Sequence, residues 1–239
     1  MEFTIWDVAL LTVIPLQATI MAYIYRPQIK AILSIIPLPF TLATLSLGLP
    51  IDGTNVAGLL LIMFFVHSVR IMNYKFHIHI IISIFLASFS YCLFGSLLAP
   101  IIPHSNRVFW ILLSISFLTG GILHIMTPQK IETGHRSPMP VMLKWIVITG
   151  VIFVLIVIKK NLQGFMTVFP MVGVVASYEL RHSLWVYCRN IQLFVLLAAP
   201  MMLVIHATQQ KFGLGMAIAA GWITLLIVAV PVYMIILRK

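Results

Sequence analysis

Long apolar runs separated by short polar turns leave this chain few ways to fold. The runs cover approximately residues 5–24, 29–48, 55–73, 77–99, 108–126, 141–158, 163–179, 184–207 and 214–236. A helix needs about 20 mostly apolar residues to cross a bilayer, and each run is close to that length. The expected fold is therefore all-α: a polytopic integral membrane protein with about nine transmembrane helices. Composition agrees. Charged residues make up 8% of the chain, against about 25% in soluble domains, too few to cover a water-facing surface. The longest turn, 127–140, carries Lys130, Glu132, His135 and Arg136, with Pro128, Pro138 and Pro140 as helix breakers. The N-terminus lacks the positive start and cleavage site of a signal peptide, so the first run is expected to stay as a helix.

The charges that remain are lopsided. Fifteen Lys and Arg face five acids, Glu2, Asp7, Asp52, Glu132 and Glu179. In a lipid setting such an excess sets topology and meets anionic headgroups. No basic, aromatic-interleaved soluble segment is present to hold a nucleic acid. With the N-terminus outside, eleven positive residues fall on the inner side (Arg26, Lys30, Arg70, Lys75, Lys130, Arg136, Lys144, Arg181, Arg189, Arg238 and Lys239). Four fall outside, Arg107, Lys159, Lys160 and Lys211. The positive-inside bias therefore predicts an external N-terminus and a cytoplasmic C-terminus, in a cell membrane of the bacterial inner-membrane kind. Lys159-Lys160 is the main feature against it.

The second and seventh runs resemble each other. Ser34-Ile35-Ile36-Pro37-Leu38 matches Thr167-Val168-Phe169-Pro170-Met171, and Ala43-Thr44 matches Ala176-Ser177, all at an offset of 133 residues. An acid follows each, Asp52 and Glu179, at inequivalent offsets. This pattern predicts two four-helix units, 1–104 and 129–239, joined by a linker helix within 105–128. An odd linker inverts the second unit, and the Lys/Arg count gives the two matched runs opposite directions by a separate argument. Inverted repeats are a hallmark of secondary transporters, whose substrate sites lie near the midplane where helices are broken.

Residues 141–237 also resemble the small four-helix GlpM-like membrane proteins. The resemblance rests on a first helix ending in Lys159-Lys160-Asn161, then Thr167-Val168-Phe169-Pro170, then Ala176-Ser177-Tyr178, then two further helices. It covers about 40% of the chain, and the first half fits more weakly through Ser34 to Thr44. What it implies is a fold rather than an activity.

Several residues are candidates for chemistry. Pro15, Pro37, Pro39, Pro170, Pro200 and Pro231 lie within runs and each can kink a helix. Pro37 and Pro170 stand out because they occupy matching places. On the inner side His67 and Arg70 share a helix face, with His124, Arg181, His182 and Arg189 nearby in the topology. Buried ionisable groups in hydrocarbon face a cavity or a partner, so this cluster predicts an anion-attracting vestibule. The competing reading is positive residues snorkelling to headgroups. Asp52 precedes Gly53-Thr54-Asn55, as a helix cap would. Glu179 has Arg181 and His182 close in sequence. Either acid could instead relay protons.

Other chemistry is weaker. His77 and His79 point to different sides of a helix, there is no HExxH, and no acidic pair supplies further ligands, so no metal or cofactor is expected. There is no GxSxG. Cys92 and Cys188 sit in apolar runs and read as small core residues. Gly213, Ala217 and Gly221 form a small-residue seam, as Gly120-Gly121 do, suited to helix packing or a homodimer. The sequence thus points to a secondary-type transporter for a small anionic or zwitterionic solute. His67, Arg70, His124, Arg189, Pro37 and Pro170 would line its path, and Asp52 and Glu179 would carry protons. The alternatives are a membrane-embedded enzyme on a lipid-like substrate, with His67, His124 or His182 as acid–base groups, and a non-catalytic subunit of a membrane complex.

Overall fold

A computed structural model describes residues 3–34, 36–128, 130 and 140–237. Glu2, Ile35, Glu132, His135, Arg136, Pro138, Arg238 and Lys239, used above, lie outside the described residues. Every regular element among those described is a helix. In chain order they are α1 (Ile5–Tyr23), α2 (Pro27–Ser34), α3 (Leu38–Leu47), α4 (Gly53–Tyr74), α5 (Ile80–Leu98), α6 (Asn106–Met126), α7 (Val141–Leu162), α8 (Gly164–Val168), α9 (Met171–Glu179) and α10 (Leu184–Leu237).

Seven helices among the described residues are long and apolar enough to cross a membrane: α1, the stretch Gln28–Leu47, α4, α5, α6, Met142–Leu162 and α10. Gly164–Glu179 is a shorter apolar helix. Two of the nine expected runs are interrupted. Residues 29–48 become α2 and α3, and residues 163–179 become α8 and α9. The last two expected runs form one element, α10, whose Gly213 leaves helical geometry at φ 77° and ψ 164°. A left-handed φ of that kind suits glycine. A Cβ on Gly221 would stand 2.6 Å from Ile205 Cγ1. Sixteen helical residues would span roughly 24 Å if straight, so α10 doubles back at Gly213 and its arms lie side by side. Gly120 likewise seats Val195. Of the small-residue seams, suited on sequence to helix packing or a homodimer, Gly120 and Gly221 have a packing use inside the chain.

The distribution of polarity is inverted relative to a soluble protein. Phe85, Phe89 and Leu97 of α5, Phe117 and Leu118 of α6, and Ile146, Phe153 and Val154 of α7 point outward. Asp7, Lys30, Lys144, Lys159 and Glu179 are buried. An apolar exterior of this extent is what lipid requires and what water would penalise, so the chain is a membrane protein. Pairing is also specific. α2 packs on α9 and α3 on α8, while α6 packs against both α4 and α10.

Candidate functional site

The two interrupted helices break in the same way. At Pro37 (φ −80°, ψ 36°) the Leu38 N–H donates to Ile36 O at 2.8 Å. At Pro170 (φ −73°, ψ 63°) the Met171 N–H donates to Phe169 O at 2.7 Å. A hydrogen bond two residues back across a central residue of such geometry is an inverse γ-turn. Proline fixes the required φ and cannot donate to the preceding turn, so it ends one half-helix and starts the next.

The breaks line a common cavity of about 40 Å³, whose walls include Pro37, Phe40, Phe169, Pro170, Gly173 and Tyr187. A water needs roughly 10–15 Å³ of such space, so the cavity holds only a few water-sized particles. Its walls are apolar apart from backbone and the hydroxyls of Thr167 and Tyr187.

Breaking a helix frees carbonyls on one side and N–H groups on the other. Here several of the carbonyls accept from side chains. Gln17 Nε2 donates to Leu33 O at 3.0 Å and Ile36 O at 3.4 Å. The Tyr91 hydroxyl donates to Phe165 O at 2.9 Å, and Thr167 Oγ1 donates to Gly164 O at 2.7 Å. Asn55 Nδ2 in turn donates to Thr167 Oγ1 at 3.0 Å. The N–H ends are different. Neither α3 nor α9 has a side-chain cap. In α9 the first ordinary helical bond is Val174 N–H to Pro170 O at 2.9 Å, which leaves the N–H groups of Val172 and Gly173, residues that line the cavity, uncapped among the described residues.

Two buried ion clusters bracket this region. At one end Lys159 Nζ lies 2.8 Å from Asp7 Oδ2 and 2.9 Å from Oδ1. Ser46 at the end of α3 donates to the same carboxylate and also accepts from Lys159 at 3.3 Å. At the other end Glu179, which closes α9, pairs with Lys144 at 2.8 Å and Lys30 at 3.2 Å. α7 carries Lys144 near its start and Lys159 near its end. It is a strut that ties the far ends of both interrupted helices.

The sequence-predicted residues fall into three groups. Pro37 and Pro170 meet at the cavity. In the cationic group, His67 Nε2 is 2.9 Å from Gln192 Nε2, and Gln192 donates to Thr127 Oγ1 at 2.8 Å. Arg189 donates to the carbonyls of His124, at 3.2 Å, and Thr127. It thereby caps the C-terminus of α6. Arg70 lies 4.0 Å from the Trp185 ring centroid, stacked as a cation on an aromatic face. These cations thus hold helices together with the contacts an open vestibule would need free. Among the acids, Asp52 caps α4 through a reciprocal pair with Asn55 and also contacts His104. Glu179 finds its ion pairs on α2 and α7, beyond its sequence neighbours Arg181 and His182.

Sequence reasoning missed Asp7, Lys30, Lys144, Lys159, Gln17 and Tyr187. Four of these were visible only as charges to be counted, because their partners lie 149 or more residues away in the chain for Lys30–Glu179 and Asp7–Lys159. The hydrogen-bonded group of Gln209, His206 and Asn106 at the Ile51 backbone was also unseen. Among the described residues no group of three or more His, Cys, Asp or Glu is placed to hold a metal ion. Comparison with protein-family models, curated proteins and solved structures finds no match.

Proposed function

We propose that this chain is a secondary-type transporter for a small anionic or zwitterionic solute, with its substrate site between the Pro37 and Pro170 breaks. The observation that carries this reading is the facing of two identically broken helices across one cavity. Discontinuous helices whose half-helix N-termini point at a midplane site are the usual construction for such transport. The positive end of each half-helix favours a negative group.

The same reading takes the chain as nine crossings, counting both arms of α10 and the interrupted α8–α9 as spans. It takes residues 1–104 and 129–239 as inverted units around α6. The antiparallel pairing of α2–α3 with α8–α9, and the contact of α6 with both α4 and α10, support that arrangement. So does the equivalence of Ser46 and Glu179, which the 133-residue offset puts in register. Each is the α7-bound end of its broken helix. The GlpM-like resemblance of residues 141–237 fits the second unit. The proposed placement in a bacterial inner membrane, N-terminus outside, gains from the burial of Lys159. That outer lysine is neutralised by Asp7 and so argues less against the orientation. Glu179, between two lysines, is the proposed coupling group, and Asp52 serves mainly as a cap.

Purified protein in liposomes, tested against labelled anions, zwitterions and cations, addresses the proposal. Uptake of an anion or zwitterion, lost in Pro170→Ala with the protein still folded, is the expected result. Absence of uptake across the panel would count against transport. Uptake of cations alone would remove the anion assignment.

A further inference from the structure

The two breaks share a backbone design and differ in what they offer a ligand. At the positions following each proline, α3 has Pro39 and Phe40, where α9 has Val172 and Gly173 at the same 133-residue offset. Pro39 has no N–H, and Phe40 puts a bulky buried side chain at the cavity wall. Val172 and Gly173 keep both donors, and Gly173 has no side chain to screen them. Beside them stands a second, unrelated feature. The Tyr187 hydroxyl, on a side chain with no exposed surface, has no hydrogen-bond partner of normal geometry among the described residues. Ser177, the hydroxyl near it, donates to Gly173 O at 2.8 Å. A Cβ built on Gly173 would come within 2.6 Å of the Tyr187 hydroxyl oxygen. The tyrosine therefore projects to the uncapped turn of α9, into the same cavity.

A buried hydroxyl left unpaired costs on the order of 1–3 kcal/mol, and two uncapped N–H groups add to that. All three groups can donate, and their residues line the same cavity. The group that satisfies them is an acceptor. The cavity of about 40 Å³ has room for only a few water-sized particles, which suits a small ligand. None of its lining residues is charged, so nothing there balances a divalent ion. An apolar wall also favours an ion that surrenders its water readily, since desolvation is the main cost of burying charge.

Resting on the transport reading above, we infer that the Pro170 break is a binding site for a small, singly charged inorganic anion such as a halide or nitrate. The anion is held by the N–H groups of Val172 and Gly173 and the hydroxyl of Tyr187, against an apolar lid made by Pro37 and Phe40. Tyr187 is the selective part, because backbone donors alone are common to many helix ends.

The test separates site from transport. Thermal unfolding of the detergent-purified protein is followed in sodium fluoride, chloride, bromide, nitrate and sulfate at matched ionic strength. Wild type should be stabilised in a saturable way by one or more monoanions and not by sulfate. Tyr187→Phe keeps the ring and removes a hydroxyl with no hydrogen bond of normal geometry among the described residues, so without anion it should be about as stable as wild type. Its apparent affinity for the monoanion should fall about tenfold, the worth of one hydrogen bond to a charged group. Gly173→Ala should abolish saturation. Tyr74→Phe, on an exposed ring, should change nothing. Equal stabilisation by sulfate, or unchanged monoanion affinity in Tyr187→Phe, would overturn the site. Binding as expected without flux in liposomes would uphold the site and remove transport. Flux that ignores Tyr187→Phe and Gly173→Ala would do the reverse.

Discussion

The two broken helices begin from the same chemistry and end in different roles. Both use a proline-centred γ-turn, and at both a side chain from another helix donates to a carbonyl of the preceding half-helix. They differ on the N–H side and at their far ends. α3 presents proline and phenylalanine to the cavity and finishes at Ser46, a neutral group sharing in the Asp7–Lys159 pair. α9 presents two free donors and finishes at Glu179, a charge held between two lysines. On the proposal made above, two breaks of one backbone design are divided between a wall and a binding element. Backbone geometry is fixed by the prolines, and the ligand chemistry by the two residues that follow each.

The largest expected effect sets Glu179 against Ser46. Glu179→Gln leaves Lys30 and Lys144 buried without their counter-charge, and removing one partner of a buried pair costs about 3–5 kcal/mol. Ser46→Ala removes a hydroxyl but leaves Asp7 and Lys159 paired, at about 1 kcal/mol. Unfolding midpoints in matched detergent would show the ratio, and equal losses would erase the asymmetry between the far ends.

Next is the entry to each half-helix. A Cβ on Gly164 would fall 2.2 Å from Thr54 Oγ1 and 2.6 Å from the Asn55 backbone nitrogen. The backbone contact cannot rotate away, so Gly164→Ala should cost about 3 kcal/mol, as overpacking does. Its equivalent at the 133-residue offset is Ala31, already a buried alanine, and Ala31→Gly should cost about 1 kcal/mol. A tolerated Gly164→Ala in thermal unfolding would show that α8 is not wedged against the start of α4.

A smaller effect belongs to Gln17. Gln17→Leu would leave the Leu33 and Ile36 carbonyls without that donor and should cost about 1–2 kcal/mol. The loss should be read as earlier proteolysis or faster amide exchange around α2 rather than α8. Uniform loosening of both breaks would contradict the division of labour between them.

Much of this fold is legible in the sequence, because the hydrocarbon thickness sets the length of every run and breakers are conspicuous within it. The Pro37–Pro170 match was visible for that reason. The doubling of α10 at Gly213 was expected as two runs. The site was legible only in part. Charge scarcity drew attention to His67, Arg70 and Arg189, since an intramembrane cation usually marks a path. The structure gives Arg70 an indole ring and Arg189 the end of a helix. Nothing local in the sequence distinguishes an arginine that caps from one that binds. Tyr187, Val172 and Gly173 were illegible for the opposite reason. Their importance lies in hydrogen bonds they do not make, and an unmade bond has no sequence signature.

The most direct test of the central claim is a crystal of the wild-type protein grown or soaked in bromide, with anomalous diffraction used to place the ion. The account predicts a peak between the two breaks, within hydrogen-bond distance of the Gly173 and Val172 nitrogens and the Tyr187 hydroxyl, and no such peak in Tyr187→Phe. Bromide found only beside Arg70, Arg181 or other cations, with the cavity between Pro37 and Pro170 empty, would contradict it.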